Sequence, residues 1–255
     1  MLVLALDTST PSVTAGVVRL LRPHEFTEAV HRDASAGIPK PSQVLAEESV
    51  TDPFAHAERL MPLAQAALAA TGNTVRDLEA VVVGLGPGPF TGLRVGIATA
   101  AALGDGLDIP VHGIPSHDGT ARALAAELAS KAPGDLLVVT DARRREVYLS
   151  AYRSDGRREL GPLVLSPAAV PELVAAKGLT PHYLTGAGAG LLERQRTPDF
   201  DPERIDGAGD SQSLGLVERA AIALLTGVVP GPLTPLYLRR PDVTEPGARK
   251  SVLGR

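Results

Sequence analysis

The residues best suited to chemistry lie in the turn Gly84-Leu85-Gly86-Pro87-Gly88-Pro89, between a short apolar run and a helical pattern. A strand that enters such a turn and then a helix leaves free backbone N–H groups at the helix N-terminus, and these bind anions, usually phosphate. Gly86 and Gly88 would let the backbone approach a ligand, and Thr91 could cap the helix or contact that ligand. The alternative is a turn whose glycines serve only backbone geometry and helix packing. The spacing matches neither a P-loop nor the dinucleotide fingerprint, so both interpretations stay open.

Two other polar turns follow predicted strands. Asp7-Thr8-Ser9 comes directly after the apolar run Leu2–Leu6, where a carboxylate beside hydroxyls could hold Mg²⁺-phosphate. The same residue types also form ordinary Asx and Ser/Thr turns, and local considerations favour that alternative. In the second half, Gly186 and Gly188 belong to another strand-to-glycine turn, where a nucleobase or ribose could lie. Together these turns predict a candidate nucleotide site.

Several kinds of catalytic site are excluded by the sequence. It contains no cysteine, and therefore no disulfide, thiolate metal site or cysteine nucleophile. No two of the six histidines are four residues apart, so neither a metal-binding helix face nor a His-Glu-x-x-His motif can form. A Gly-x-Ser-x-Gly elbow is missing too. We therefore predict no catalytic residue and no metal ligand.

Composition and charge limit the possible partners. The 255 residues carry a net charge of −4 and include only four Tyr and four Phe, which disfavours a broad cationic RNA surface and a base-stacking platform. Positive charge is local, at Arg143-Arg144-Arg145 and in the segment 239–255, which we predict to be a flexible tail. Such runs are usually solvated surface, and contact with a nucleic acid or partner is the less common role. The short apolar N-terminus resembles neither a signal peptide nor a membrane span, so we expect a cytoplasmic protein.

The predicted elements follow one order twice. Residues 1–106 read β-β-β-α-β-α, with a long exposed loop over 22–40, and form the expected first unit. Residues 107–210 contain the same order again, from a buried strand that ends at Asp141. A helix over about 211–226 is expected to pack back on the first unit. This duplication predicts an α/β fold with two similar halves.

Two predicted helices have unusually small side chains. The segments Leu63–Ala70 and Leu93–Leu103 consist largely of Ala, Gly and Thr beside Leu, Val and Ile. Small-residue faces let helices approach closely, either within a core or across a subunit boundary. A dimer surface and ordinary core packing explain the pattern about equally well.

The motifs along the chain resemble those of the TsaB (YeaZ) family. In order, they are Met1–Thr10, His56–Pro62, Gly84–Gly96, Asp141–Arg143 with Glu146–Tyr148, and Pro235–Arg239. The resemblance covers nearly the whole chain except the 22–40 segment and the tail beyond Arg240. It implies the actin/Hsp70-like ATPase (ribonuclease H-like) fold, in which two β-β-β-α-β-α lobes enclose a cleft.

The same resemblance implies a non-catalytic scaffold in tRNA modification. The related TsaD subunit transfers the threonylcarbamoyl group to adenosine 37 of tRNA and carries a metal-binding histidine pair that TsaB lacks, as does this chain. We therefore expect a heterodimer with a TsaD-like subunit, recruitment of a TsaE-like ATPase, the ability to form a homodimer, tRNA contacts only within the complex, and no membrane partner. No tightly bound cofactor is implied, and ATP or ADP with Mg²⁺ is the candidate ligand at the complex interface.

The family interface uses the two helices of the first lobe, which here begin near His56 and Thr91. The resemblance thus implies nine interface positions: His56, Glu58, Arg59, Leu60, Leu63, Arg94, Ile97, Ala98 and Ala101. Ala57 departs from the small hydroxyl residue usual in the family, which puts one detail of this interface in doubt. Two other functions stay open, a free-standing nucleotide-binding phosphotransferase and a glycopeptidase of the M22 type.

Overall fold

Two five-stranded mixed sheets form the centre of the molecule in a computed structural model, which describes residues 1–32, 39–52, 56–206 and 212–239. The first sheet contains β1 (Leu2–Asp7), β2 (Ser12–Leu20), β3 (Ser42–Thr51), β4 (Ala80–Gly84) and β5 (Val111–Ile114). The second contains β6 (Asp135–Asp141), β7 (Val147–Tyr152), β8 (Arg158–Leu165), β9 (Pro181–Thr185) and β10 (Glu203–Arg204). The helices are α1 (Pro23–Arg32), α2 (His56–Ala70), α3 (Phe90–Leu107), α4 (Ser116–Ala123), α5 (Ala125–Ala129), α6 (Val170–Ala176) and α7 (Gln212–Thr226).

The two sheets have the same topology. Their strand orders are β3-β2-β1-β4-β5 and β8-β7-β6-β9-β10. In each, the central strand (β1 or β6) pairs antiparallel with the next strand and parallel with the fourth. The predicted duplication is therefore confirmed. The connections differ in two places: α1 lies between β2 and β3 but no helix lies among the described residues that join β7 to β8, and β9 is followed by a 3₁₀ segment, Ala189–Gln195, where β4 is followed by the long helix α3.

The first sheet is covered on both faces, which explains the continuous apolar sequence of its central strands. Leu4 and Leu6 face α2 and α3, whereas Val3 and Ala5 face α7. Because successive side chains point to opposite faces, every side chain of a strand buried on both faces is in the core, and apolar residues are favoured throughout. Helix α7 comes after the second sheet in sequence yet packs on the first, so the chain returns to the lobe in which it began.

The second sheet is covered less evenly. On one face, Leu137 and Val139 pack against α6 and the 3₁₀ segment that follows β9. On the other, Leu136 and Val138 pack against Leu124, at the junction of the short helices α4 and α5. Helix α4 also packs against α7 and thus lies between the lobes.

The prediction of an exposed loop over 22–40 is wrong for its first part, which forms α1. Half-buried side chains recur there at Glu25, Phe26, Ala29 and Val30, a spacing that places them on one helical face. Pro23 fits the first turn, where its missing N–H costs nothing. Residues 33–38 of the predicted loop lie outside the described residues.

Two other boundaries differ from expectation. The first sheet extends beyond the boundary predicted at residue 106, since β5 pairs with β4. Arg239, the first residue of the predicted tail, is fixed by hydrogen bonds to the second lobe, and residues 240–255 lie outside the described part. Across the residues that are described, no helix has both the length and the apolar character needed to cross a bilayer.

Candidate functional site

A polar cleft of about 510 Å³ lies between the two lobes. Hydroxyl side chains from both sides line it, among them Ser9 and Thr120 from one side and Thr140 and Thr185 from the other. Because parallel strands end on the same edge of a sheet, the carboxyl ends of β1, β6 and β9 all reach this cleft. A polar cavity therefore lies at these strand ends.

Asp7 lies in this cleft, and both of its carboxylate oxygens already accept hydrogen bonds. Oδ1 accepts the backbone N–H of Ser9 at 2.8 Å, as in an ordinary Asx turn. Oδ2 accepts Nε2–H of Gln212 at 2.8 Å, and the same amide donates to the Ser116 carbonyl at 3.2 Å. The carboxylate is only 4% exposed, so its main contribution is to join β1 to the start of α7.

Thr8 points away from the cleft and into the base of α3. Its side chain is fully buried, and its Oγ1–H donates to the Gly92 carbonyl at 2.7 Å. A Cβ atom on Gly92 would lie 2.5 Å from the Thr8 carbonyl oxygen, so only glycine allows the helix to approach the turn this closely. Thr8 is therefore a packing residue.

The glycine turn before α3 is also enclosed. Gly86 and Gly88 are buried, and a Cβ on Gly88 would collide with the Ser9 carbonyl. Gly86 exchanges hydrogen bonds with Ser116, its N–H donating to Oγ at 3.1 Å and its carbonyl accepting the backbone N–H at 2.7 Å. Thr91 is exposed on the outer side of α3 and is not among the cleft residues. The structure thus favours packing over phosphate binding for this turn.

In the second lobe, Gly186 lies in the cleft and Gly188 does not. Gly186 has a φ of +99°, and Gly188 is buried with its N–H donating to the Val139 carbonyl at 2.9 Å. Both glycines therefore fold the strand-to-3₁₀ connection onto β6. Of the eight predicted nucleotide positions, the structure brings together Asp7, Ser9 and Gly186 in the cleft, and places the other five elsewhere.

A buried histidine that sequence reasoning did not select joins the lobes. His117 of α4 is 1% exposed, with Nδ1 2.9 Å from the Ser150 Oγ and Nε2 2.9 Å from the Thr140 Oγ1. Burial, and secondarily the positive charge of Arg158, lower the pKa of His117 to about 3. The neutral ring can donate to one hydroxyl and accept from the other.

The next residue of α4 also reaches the second sheet. Asp118 is 6% exposed and accepts hydrogen bonds from the Tyr152 hydroxyl at 2.7 Å and from Arg158 at 2.8 Å. Burial and the charge of Asp118 raise the pKa of Tyr152 above its usual range. With Ser116 bonded to the first lobe, three consecutive residues of α4 fasten both lobes. Ser-His-Asp at a helix start carries no local signal of such burial.

These contacts limit what the cleft can do chemically. His117 is neutral and hydrogen-bonded on both sides, and Asp7 is occupied, so neither is placed as a general base. Among the residues that the structure describes, no three His, Asp or Glu side chains are grouped to hold a metal ion. The glycine turn is enclosed and offers no accessible phosphate cradle.

The predicted interface positions lie on α2 and α3, which cover the outer face of the first sheet side by side. Glu58, Arg59, Arg94 and Ala98 are exposed, whereas Leu63, Ile97 and Ala101 are half-buried. His56 and Leu60 are instead buried within their own lobe, and His56 Nε2 lies 3.0 Å from the Thr10 carbonyl oxygen. Those two positions are corrected from surface to core.

The exposed part of this helix pair includes several alanine side chains. Ala66 and Ala69 of α2, and Ala98 and Ala102 of α3, all face solvent, and we call these four residues the alanine face. Near the start of α3, the Arg94 guanidinium lies 3.6 Å from the centre of the Phe90 ring and donates to the Tyr237 hydroxyl at 3.1 Å. The C-terminal segment thereby borders the exposed surface of α3.

Two sheets of identical strand order around a polar cleft define the class as a two-lobed protein with the actin-like ATPase fold. A solved structure from Pseudomonas aeruginosa, described as an uncharacterized protein with similarity to the peptidase YEAZ, shares this fold. It superposes with a TM-score of 0.66 at 26% identity, over 93% of this chain and 99% of that one.

Sequence comparisons lead to the family. A family model described as TsaD, tRNA N6-adenosine threonylcarbamoyltransferase, matches residues 52–190. An uncharacterized protein of Mycobacterium tuberculosis is 43% identical over 243 residues, 94% of this chain and 92% of that protein. The tRNA threonylcarbamoyladenosine biosynthesis protein TsaB of Escherichia coli is 33% identical over 113 residues, 40% of this chain and 43% of TsaB. The chain belongs to this threonylcarbamoyltransferase family, in its TsaB/YeaZ group.

Proposed function

We propose that the chain is a non-catalytic subunit of a tRNA N6-threonylcarbamoyladenosine-37 threonylcarbamoyltransferase complex, in which it pairs with a TsaD-like catalytic subunit and recruits a TsaE-like ATPase. The observation that carries the proposal is the division of roles within the first lobe. On the cleft side, Asp7 and His117 are held by hydrogen bonds within the chain, whereas the outer side presents the exposed alanine face.

The cleft supports the non-catalytic part of the proposal. A transferase needs a group free to activate its acceptor or bind the acyl carbonyl, and the buried Asp7 and His117 are both held by structural partners. For the same reason, ATP or ADP with Mg²⁺ would require groups from a partner subunit. The complex modifies tRNA, and so the proposed location is the cytoplasm.

The alanine face supports the pairing part. Small residues on two neighbouring helices let the helices of a partner approach closely, and burying them costs little side-chain entropy. Exposed Glu58, Arg59 and Arg94 border this face and provide a polar rim. The same face would serve a homodimer when the TsaD-like subunit is absent.

Reconstitution tests the proposal. Threonylcarbamoyl transfer to tRNA should be negligible with this chain alone and should require it when TsaD-like and TsaE-like partners are present. Ala98→Glu should weaken partner binding at least about tenfold and lower transfer in parallel, since a charge would be buried at the contact.

Ala175→Glu is the matched control, because Ala175 is an exposed helical alanine in the second lobe. It should leave both quantities unchanged. Full transfer without this chain would refute the proposal. If the Ala98→Glu variant binds the partner normally, the alanine face is not part of the interface. Light scattering of the same variants measures whether they form a homodimer.

A further inference from the structure

The turn from β6 to β7 has an unusual backbone. Arg143, Arg144 and Arg145 have φ values of 63°, 51° and 62°, and all three are exposed. The left-handed region is unfavourable for a non-glycine residue, and Arg has no special tendency to adopt it. Three such residues in a row therefore need contacts that hold them. We call residues 143–145 the arginine turn.

Those contacts come from both ends of the turn and from the C-terminal segment. The Arg143 N–H donates to Asp141 Oδ1 at 2.7 Å, and the Glu146 N–H donates to the Arg143 carbonyl at 3.0 Å. Arg239 donates to the Ala142 carbonyl at 2.9 Å and forms an ion pair with the Glu146 carboxylate. The turn is thus held in shape before any ligand arrives, and Glu146 is neutralised by Arg239.

The arginine turn concentrates positive charge. A left-handed helical turn rises about 1.5 Å per residue, against about 3.3 Å in a strand, so the three charges start from a short length of backbone. Arg143 and Arg145 make no ion pair with any described residue, whereas Arg122 pairs with Glu218 at 2.9 Å and Arg158 with Asp118 at 2.8 Å. Mutual repulsion on this turn would be relieved by an anion.

The surroundings indicate which kind of anion. The neighbouring apolar side chains, Ala142 and Val147, are 3% and 0% exposed, so the turn offers no apolar anchor of the kind that dominates protein interfaces. Within the described part of the chain, no aromatic ring stacks on Arg143 or Arg145, so base stacking is not part of the arrangement. A guanidinium group forms two parallel hydrogen bonds with two oxygens of one phosphate. Because the turn has no apolar anchor, a phosphate backbone is the ligand that fits it.

We infer that the arginine turn contacts the phosphodiester backbone of tRNA when the chain is in its complex. This inference rests on the proposed function, which makes tRNA the polyanion present. The turn begins three residues after Thr140, which lines the interlobe cleft. The contact is independent of sequence and contributes to affinity and orientation.

The test is binding of an unmodified tRNA transcript to the reconstituted complex at several salt concentrations. With Arg143→Ala/Arg145→Ala, we expect roughly tenfold weaker binding at low salt and a fall of about 2 in the slope of log K against log salt, about 1 for each lost phosphate contact. Arg76→Ala/Arg194→Ala, which removes two exposed arginines elsewhere, should leave the slope unchanged.

A second variant separates binding from folding. Arg143→Gly/Arg145→Gly should bind tRNA as weakly as the alanine variant, yet melt at a higher temperature than the wild type, because glycine adopts a positive φ without strain. A turn with a merely structural role would not separate stability from affinity in this way.

Two outcomes would overturn the inference. One is an unchanged affinity and salt slope in both arginine-turn variants. The other is that the variants bind the TsaD-like partner more weakly but, once assembled with it, bind tRNA as tightly as the wild type does. The turn would then be a contact with the partner protein. If wild-type chain is needed for transfer and the variants keep the slope, only the inference fails. If wild-type chain adds nothing to transfer or tRNA binding by its partners, the proposed function fails with it.

Discussion

The turns that follow the two central strands are built alike and used differently. After β1 and after β6, a strand-terminal aspartate accepts the backbone N–H of the residue two positions later, from Ser9 at 2.8 Å and from Arg143 at 2.7 Å. In the first lobe the turn is buried, with Asp7 4% and Thr8 0% exposed. In the second lobe Asp141 and the arginine turn are exposed.

The element that follows the fourth strand of each sheet accounts for the difference. In the first lobe α3 begins beside the turn and covers it, with Gly92 against Thr8. The corresponding position in the second lobe has a 3₁₀ segment, which packs on β6 through Gly188. A duplicated scaffold thus supports two roles, since the covered turn positions a helix and the uncovered turn presents charge.

Crowding the contact between α3 and the first-lobe turn should have the largest effect on the free energy of unfolding. We expect Gly92→Ala to lower the free energy of unfolding by at least about 2 kcal/mol, because the new Cβ would lie 2.5 Å from the Thr8 carbonyl oxygen and the helix would have to move. Gly106→Ala, in the same helix with open space around its Cβ, should instead raise it by up to about 1 kcal/mol.

Urea unfolding of both variants measures this prediction. The opposite signs within one helix separate crowding from helix propensity. Wild-type stability of Gly92→Ala would show that α3 does not depend on the turn, and the contrast between the lobes would lose its physical basis.

The two strand-terminal aspartates should differ next. Asp7→Ala leaves the Ser9 N–H and the Gln212 amide without their acceptor in a buried site, a loss of about 2 kcal/mol. Asp141→Ala removes one hydrogen bond at an exposed position and should cost less than about 1 kcal/mol. Equal losses in urea unfolding would contradict the assignment of one turn as buried and the other as exposed.

Much of the fold followed from the sequence, because it depends on patterns within one element. Apolar runs ended by Asp7 and Asp141 predicted both central strands, and their repetition predicted the duplication. What the sequence does not encode locally is which surface covers each element. The Thr8–Gly92 contact joins residues 84 positions apart, and phosphate binding was an equal interpretation of the same glycines until that packing was known.

The site shows the same limit. His56 has the position of an interface residue in the family motif, yet it turns inward to the Thr10 carbonyl. Nothing marks a lone His117 as fully buried, and three arginines in succession carry no preference for left-handed backbone. These features are set by tertiary contacts, from the β1–β2 turn, from β6 and β7, and from Arg239 respectively.

The smallest effect at neutral pH concerns the contact of α4 with the second lobe. His117 contacts Thr140, the residue before Asp141, so its protonation bears on the base of the arginine turn. Burial lowers the pKa of His117 from 6.5 to about 3. Between these two pH values, His117 is protonated in the unfolded chain but stays neutral in the folded chain. The stability that neutral His117 contributes is complete above pH 6.5 and is lost as the pH falls towards 3, by up to about 1.4 kcal/mol per pH unit.

His117→Gln retains a donor and an acceptor but cannot titrate. We expect it to be about 1 kcal/mol less stable than wild type at neutral pH and to show a flatter loss of stability on acidification, so the two curves converge. His31→Gln, at an exposed position, should keep the wild-type slope. Burial also lowers the pKa of His112, but that group is common to all three proteins and cancels in the differences. If His117→Gln keeps the wild-type slope of unfolding free energy against pH, protonation of His117 does not contribute to the acid sensitivity. Other groups would then account for the loss of stability in acid.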